Sequence, residues 1–168
     1  FDYHGLRGMS LRGKTIGIVG TGKIGRRAAA IAHGFGMKIL AVDICRAVEL
    51  EKELGLVYVE METLLKESDI ITLHTNLTDQ TRHMIDAAAF ATMKDGVILI
   101  NTARGELVDS DALLKALNWA QTMYIGIDCR ETTTASQRCP PLRSRPSGST
   151  RIGSDGMSRQ RPSVIVRA

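Results

Sequence analysis

Three observations predict a doubly wound α/β fold, a mainly parallel sheet with helices on both faces. Short apolar runs alternate with helical patterns from residue 15 to about residue 128. The first of these runs is rich in β-branched residues, as expected of a strand buried on both sides. A glycine-rich turn joins that strand to the first helical pattern. No period of 20–50 residues repeats, which argues against a solenoid.

Each element can be placed in turn. Thr15–Gly20 reads as the first strand. The helix after it carries Ile24, Ala28, Ile31 and Phe35 at spacings of four, three and four, which predicts that this stripe faces the core. Gly36 is its expected stop. Lys38–Val42 makes a second strand, Arg46–Leu54 a second helix and Val57–Val59 a short third strand. A short helix is expected around Thr63–Glu67. Ile70–Leu73 and Val97–Asn101 are strands separated by an alanine-rich helix near Ala87–Met93. Asp109 or Ser110 can cap a further helix, with Leu113, Leu114 and Leu117 turned inward. Met123–Ile127 is the last strand expected.

The bulk composition bounds the possibilities. At 168 residues the chain is long enough for one domain with a sizeable core and too short for two large ones. It is 43% hydrophobic and 24% charged, ordinary for a globular protein. No run approaches ~18 uninterrupted apolar residues, so no membrane span is expected. The start FDYHGLRG has neither an initiator methionine nor a signal-peptide core, and reads as the interior of a longer protein. Cys45, Cys129 and Cys139 lack metal-ligand spacing, and their odd number argues against a disulfide framework; a reducing, cytoplasmic setting is expected.

Gly20-Thr21-Gly22-Lys23-Ile24-Gly25 matches G-x-G-x-x-G. The pattern is weak alone, but here it ends a predicted strand and opens a predicted helix, as dinucleotide binding requires. Gly20 permits the tight turn, Gly22 lets a pyrophosphate approach the backbone, and Gly25 lets helix and strand pack closely. The helix N-terminus then offers free N–H groups and partial positive charge to the phosphates. Asp43 lies 18 residues after Gly25, at the end of the second strand. Its carboxylate would accept hydrogen bonds from the adenosine ribose and repel a 2′-phosphate, so NAD is favoured over NADP. Arg46 is close enough in sequence to weaken that preference. The plainer alternative, a glycine-rich turn beside a surface aspartate, leaves the agreement of strand, glycines, helix and acid unexplained.

Three segments carry a family resemblance: LRGKTIGIVGTGKIG, SDIITLHTNLTDQTRHMI and MKDGVILINTARGELVDSDAL. Together they resemble the NAD-binding Rossmann domain of the D-isomer-specific 2-hydroxyacid dehydrogenases, over about residues 6–128. The resemblance implies that Lys23 and Ile24 lie in the phosphate turn and that Asp43 holds the ribose. It implies that Thr75 and Asn76, with Thr81 nearby, line the cofactor cleft. The family usually has proline where Asn76 stands, so that loop is expected to differ. Thr102, Ala103 and Arg104 are implied at the carboxyl end of the fifth strand, and Asp128 near the nicotinamide amide. Arg104 is the implied catalytic residue, gripping the substrate's carboxylate and carbonyl with a planar fork suited to both. A surface ion pair with nearby Glu106 or Asp109 is the bland alternative. The resemblance also allows a homodimer through this domain.

The family's proton-transfer pair is not matched. Its carboxylate comes five residues after the aspartate matched by Asp128, where this chain has Thr133; Glu131 falls two residues early. Its catalytic histidine lies further on, yet no histidine follows His83 here. His74 and His83 match family positions without a proton-transfer role, His33 is expected on the exposed side of the first helix, and His4 lies in the leader. The family's substrate lobe is unmatched as well. The implied activity is NAD-dependent oxidation of a D-2-hydroxy acid or reduction of the 2-oxo acid. The chain alone is expected to bind NAD weakly or misfold, without turnover. A non-catalytic, corepressor-like NAD module is the rival reading; a longer parent with both the glutamate and histidine would favour the enzyme.

Residues 129–168 differ in kind. They hold eight arginines, no lysine and two acids, against 14 basic and 16 acidic groups in residues 1–128. All four prolines and seven serines fall there too. The division expected is therefore a leader over 1–14, the NAD domain over 15–128 and a tail over 129–168, disordered or frameshifted. Frameshift, a genuine basic tail and a solvated linker stay open as readings of it. Nucleic-acid binding is not expected, because the tail lacks interleaved aromatics and any folded RNA-binding motif.

Overall fold

The computed structural model describes residues 9–118, 124–128 and 164–167. Its strands are β1 (Thr15–Val19), β2 (Lys38–Val42), β3 (Val57–Tyr58), β4 (Ile70–Leu73), β5 (Ile98–Asn101), β6 (Tyr124–Asp128) and β7 (Val164–Arg167). The helices are α1 (Lys23–Gly34), α2 (Val48–Leu54), α3 (Met61–Glu67), α4 (Ala87–Thr92) and α5 (Ser110–Asn118). The strands form one sheet in the order β3-β2-β1-β4-β5-β6-β7, and every pairing is parallel. The order reverses between β1 and β4, the topological switch point at which such sheets bind ligands.

The two faces of the sheet feed two cores, because successive strand side chains point to opposite sides. Ile16, Ile18, Ile39 and Ala41 pack with Ala29 and Ala32 of α1 and Leu50 of α2. Val19, Ile71, Leu73 and Leu99 pack with Leu64 and Leu65 of α3, Phe90 of α4, and Ala112 and Ala116 of α5. Ile18, Ile71 and Leu99 are wholly buried, each contributing about 1.5–3 kcal/mol.

Two expectations need correction. The stripe of α1 predicted to face the core is largely solvent-exposed, with Ile24, Ile31 and Phe35 at 69%, 62% and 55%. The buried side is Gly25, Ala29 and Ala32. Close approach decides this: a Cβ on Gly25 would lie 1.8 Å from the Gly20 carbonyl oxygen, so only small residues fit beneath the helix. On α5, Leu113 and Leu117 do pack partly against the core, but Leu114 is 59% exposed, and Ala112 and Ala116 are the buried pair. At the far end of the tail, Val164–Arg167 forms a strand that pairs with β6, Ile125 opposite Val164 and Asp128 opposite Arg167. Its β-branched run suits an extended edge pairing, which needs no separate core. The remaining tail, 129–163 and Ala168, lies outside the described residues.

Local signals set the helix ends. Gly36, with φ of +70°, follows α1, and its N–H donates to the His33 carbonyl. Asp86 caps α4 by accepting from the Ala89 N–H at 2.9 Å. Asp109 Oδ1 accepts from the N–H groups of Asp111 and Ala112, so of the two expected caps of α5 it is Asp109 that serves.

At the amino edge of the sheet, Asp69 Oδ2 accepts from the Thr15 N–H at 2.9 Å, and Lys94 and Lys14 flank its other oxygen at 3.4 and 3.7 Å. Beside it, the wholly buried Ser68 hydroxyl has no hydrogen-bond partner among the described residues. It sits over Gly17, whose Cβ position would be 2.4 Å from Ser68 Oγ. Ser68→Ala should therefore leave stability unchanged or raise it by up to about 1 kcal/mol, since an unpaired buried hydroxyl is removed. Urea unfolding checks this, and a loss above about 1 kcal/mol would mean that the hydroxyl is bonded.

Candidate functional site

Strand register brings the site together. Val19 is level with Val42 on one side and Leu73 on the other; Leu73 is level with Asn101, and Asn101 with Ile127. The residues that follow these positions, namely Gly20, Asp43, His74, Thr102 and Asp128, therefore leave the carboxyl edge side by side. Four strand spacings separate Asp43 from Asp128, roughly 19 Å. An extended dinucleotide can lie along such an edge.

The β1–α1 turn has the shape its glycines predict. Gly20 has φ of +95°, and a Cβ there would lie 2.8 Å from the His74 carbonyl, so β1 and β4 part only by the width of a bare backbone. Gly22 precedes α1 and no atom lies within 4 Å of its Cβ position, leaving open space before the helix's free N–H groups. Lys23 and Ile24 are exposed at the same helix start. These residues fit a pyrophosphate.

Asp43 is the most constrained acid. One carboxylate oxygen, Oδ2, accepts from both the N–H and the hydroxyl of Thr21, the latter at 2.9 Å. The other, Oδ1, accepts from the Cys45 N–H at 2.9 Å. Burial alone would raise its pKa, but the N–H groups of Cys45 and Thr21, the Thr21 hydroxyl and the Ile44 N–H outweigh it and hold the carboxyl below its ordinary value. Asp43 is thus a fixed carboxylate at neutral pH, the species a ribose diol needs.

Two side chains in this network were not legible from the motif. Thr21 lies between the glycines and is 2% exposed. Tyr58, at the end of β3, has its hydroxyl 3.0 Å from Thr21 Oγ1 and accepts from the Ala47 N–H at 3.0 Å. The Arg46 guanidinium lies 5.8 Å from the centre of the Tyr58 ring, within cation–π range. The sequence carries no signal for either residue, since only the fold brings Thr21 to Asp43 and Tyr58.

On the β4 side, Thr75 is half-buried and Asn76 exposed. The Thr81 hydroxyl donates to the Asn76 carbonyl at 2.7 Å and accepts from the Thr78 N–H at 2.8 Å, so it shapes the loop that holds Asn76. His74 Nε2 is 3.0 Å from Thr72 Oγ1, and burial pushes its pKa down, favouring the neutral ring. His33 is exposed, with Nδ1 3.0 Å from the Leu54 carbonyl.

Beyond β5, the buried Asn101 organises the loop. Its amide nitrogen donates to the Arg104 carbonyl at 2.8 Å and its oxygen accepts from the Ala103 N–H at 3.1 Å. Thr102 and Arg104 are exposed, Ala103 half-buried, and the guanidinium donates to the Ala103 carbonyl at 2.9 Å. Glu106 pairs with Arg82 at 2.6 Å, tying this loop to the one after β4. Asp128 ends β6. No group of three His, Cys, Asp or Glu able to hold a metal occurs among the described residues. No helix among them is long and apolar enough to cross a membrane.

Residues 2–148 match the family model of the D-isomer specific 2-hydroxyacid dehydrogenase NAD-binding domain. The chain belongs to this family. The match continues past Asp128, where the visible motifs stop. Among relatives, the glyoxylate reductase of Thermococcus litoralis is 51% identical over 124 residues, which is 74% of this chain and 38% of that protein. The apo D-lactate dehydrogenase of Escherichia coli superposes with a TM-score of 0.72 at 45% identity, covering 76% of this chain and 40% of the other. The D-lactate dehydrogenase of Aquifex aeolicus, solved with NAD and lactic acid, gives 0.69 at 43% identity, covering 74% and 38%. The chain thus spans about two-fifths of the length of these relatives and carries their NAD-binding domain.

Proposed function

We propose that this chain supplies the NAD-binding wall of an enzyme that interconverts D-2-hydroxy acids and 2-oxo acids. The working unit is centred on 15–128, with 1–14 as its leader, and β7 of the 129–168 tail adds a strand to its sheet. Gly20, Gly22, Lys23, Ile24 and Gly25 bind the pyrophosphate, and Asp43 binds the adenosine ribose. Thr75, Asn76, Thr81, Thr102, Ala103 and Asp128 border the rest of the cofactor. NAD supplies the hydride acceptor when bound.

Arg104 binds the substrate's carboxylate and polarises its carbonyl. The supporting observation is its place: Asn101 bonds to both the Ala103 N–H and the Arg104 carbonyl, fixing that backbone at the carboxyl edge of β5, one strand from Asp128. A cation there lies where a 2-oxo acid beside the nicotinamide would gain most from it. Both relatives named as D-lactate dehydrogenases and the glyoxylate reductase act on small acids of this class.

The 168-residue chain by itself is proposed to bind NADH without turnover, because no histidine follows His83 and Thr133 stands at the expected acid position. Mixing it with NADH and glyoxylate, pyruvate or hydroxypyruvate should leave the NADH absorbance flat over the uncatalysed drift. Acid-dependent NADH loss that disappears in Arg104→Ala would overturn the claim of inactivity while supporting the role of Arg104. A homodimer formed through this domain is part of the proposal. A reducing, cytoplasmic setting suits the free, exposed thiol of Cys45.

A further inference from the structure

The Asp43 network carries a consequence for cofactor choice, resting on the reading that Asp43 binds the ribose. The Thr21 hydroxyl has one proton, and it goes to Asp43 Oδ2, which can only accept. Thr21 Oγ1 must then accept from Tyr58, so the phenol is the donor across their 3.0 Å contact. The Tyr58 oxygen in turn accepts from the Ala47 N–H. Donors thus run in one direction, from Ala47 through Tyr58 and Thr21 onto the carboxylate. The other face of the same residue, its ring, holds Arg46, the one cation between Asp43 and Ala47.

We propose that Tyr58 is a specificity-determining residue for NAD over NADP: its hydroxyl positions Asp43 through Thr21, and its ring keeps Arg46 stacked. Arg46 follows Asp43 by three residues, within reach of the loop where a 2′-phosphate would have to be neutralised. A guanidinium held on an aromatic face gives up stacking when it turns to a phosphate. Tyr58 acts on both halves of the discrimination, since it steadies the group that favours a ribose diol and restrains the group that would favour a phosphate.

Two substitutions separate the halves. Tyr58→Phe keeps the ring and deletes the hydroxyl, so the Kd for NADH should rise about three- to tenfold while that for NADPH stays level. Tyr58→Leu deletes both, so the same NADH loss should come with tighter NADPH binding, and adding Arg46→Ala should erase that NADPH gain. The measurement is fluorescence titration of the full 168-residue chain with each nucleotide at fixed salt, with thermal melts confirming that each variant is folded. An NADH/NADPH ratio equal to wild type in Tyr58→Phe, or an NADPH gain that survives Arg46→Ala, overturns the proposal. Should Tyr58→Leu not fold, Tyr58→Phe decides the role of the hydroxyl, and Arg46→Ala in the otherwise native chain decides that of the ring: unchanged NADPH binding supports the restraint and weaker NADPH binding overturns it. Asp43→Ala measured alongside separates two failures: if it leaves NADH binding unchanged, the ribose role of Asp43 falls and takes the role of Tyr58 with it. If Asp43→Ala weakens NADH binding but Tyr58→Phe leaves the ratio unmoved, only Tyr58 loses its role.

Discussion

Replacing Gly25 with alanine is expected to destabilise the fold strongly, whereas the same change at Gly22 should leave stability nearly intact and weaken chiefly dinucleotide binding. At Gly25 the new Cβ would meet the Gly20 carbonyl oxygen at 1.8 Å and its carbon at 2.9 Å. Both are backbone atoms of the turn that α1 follows, so no side chain can swing aside. Overpacking typically costs about 1–3 kcal/mol, and a clash with unyielding backbone belongs at or above the top of that range, against a total stability of roughly 5–15 kcal/mol. A drop in Tm of about 6–12 °C is the minimum expected. At Gly22 nothing lies within 4 Å of the Cβ position and φ is −64°, ordinary for alanine. Its cost should stay near that of a weakened helix cap, about 1 kcal/mol. The methyl group would occupy the space through which a pyrophosphate reaches the N-terminus of α1. Paired melts and NADH titrations check both variants. Equal Tm losses at the two positions would mean that Gly22 is structural too.

Asp43→Ala should raise the Kd for NADH by about ten- to hundredfold, the loss of one or two charge-assisted hydrogen bonds. Binding of NADPH should fall far less, because the lost carboxylate also repelled the 2′-phosphate, and the gap between the two nucleotides should narrow. The substitution also strands the Thr21 N–H and hydroxyl, both of which donate to Asp43. Some stability is therefore lost along with affinity. Asp43→Asn separates the effects, since it retains one acceptor and loses the charge. An NADH/NADPH ratio unchanged in Asp43→Ala would refute its assigned role.

The sheet was readable in the sequence because its strands are short, apolar and separated by glycine and capping residues. Lys38–Val42 and Ile70–Leu73 occupy the expected residues, and β1 and β5 differ by one residue at one end. The dinucleotide turn was readable because its tightest constraint is local: a Cβ on Gly25 would collide with the Gly20 carbonyl, five residues earlier. The buried face of α1 was misjudged because two stripes share the helical period, one large and one small. Hydrophobic mass favours Ile24, Ile31 and Phe35, whereas the closeness that Gly25 enforces favours Ala29 and Ala32. The packing role of Gly25 already contained that answer. Leu114 follows the same rule, turned outward while the smaller Ala112 and Ala116 face the sheet.

Thr21, Tyr58 and Asn101 were harder to see for a different reason. Thr21 meets Asp43 across 22 positions and Tyr58 across 37, and neither separation has a sequence signature. Asn101 reads as the last residue of an apolar strand, and its service to Ala103 and Arg104 emerges only when the loop closes over it. β7 sits amid Arg, Ser and Pro, so its pairing depends on the free edge of β6 rather than on its surroundings.

One titration decides whether this chain holds NAD through Asp43 and the β1–α1 turn. The full 168-residue chain is titrated with NADH, following nicotinamide fluorescence, and then with NADPH under the same salt. Saturable binding, tighter for NADH than for NADPH, is the expected result. No saturation with NADH, or binding as tight for NADPH, would contradict it.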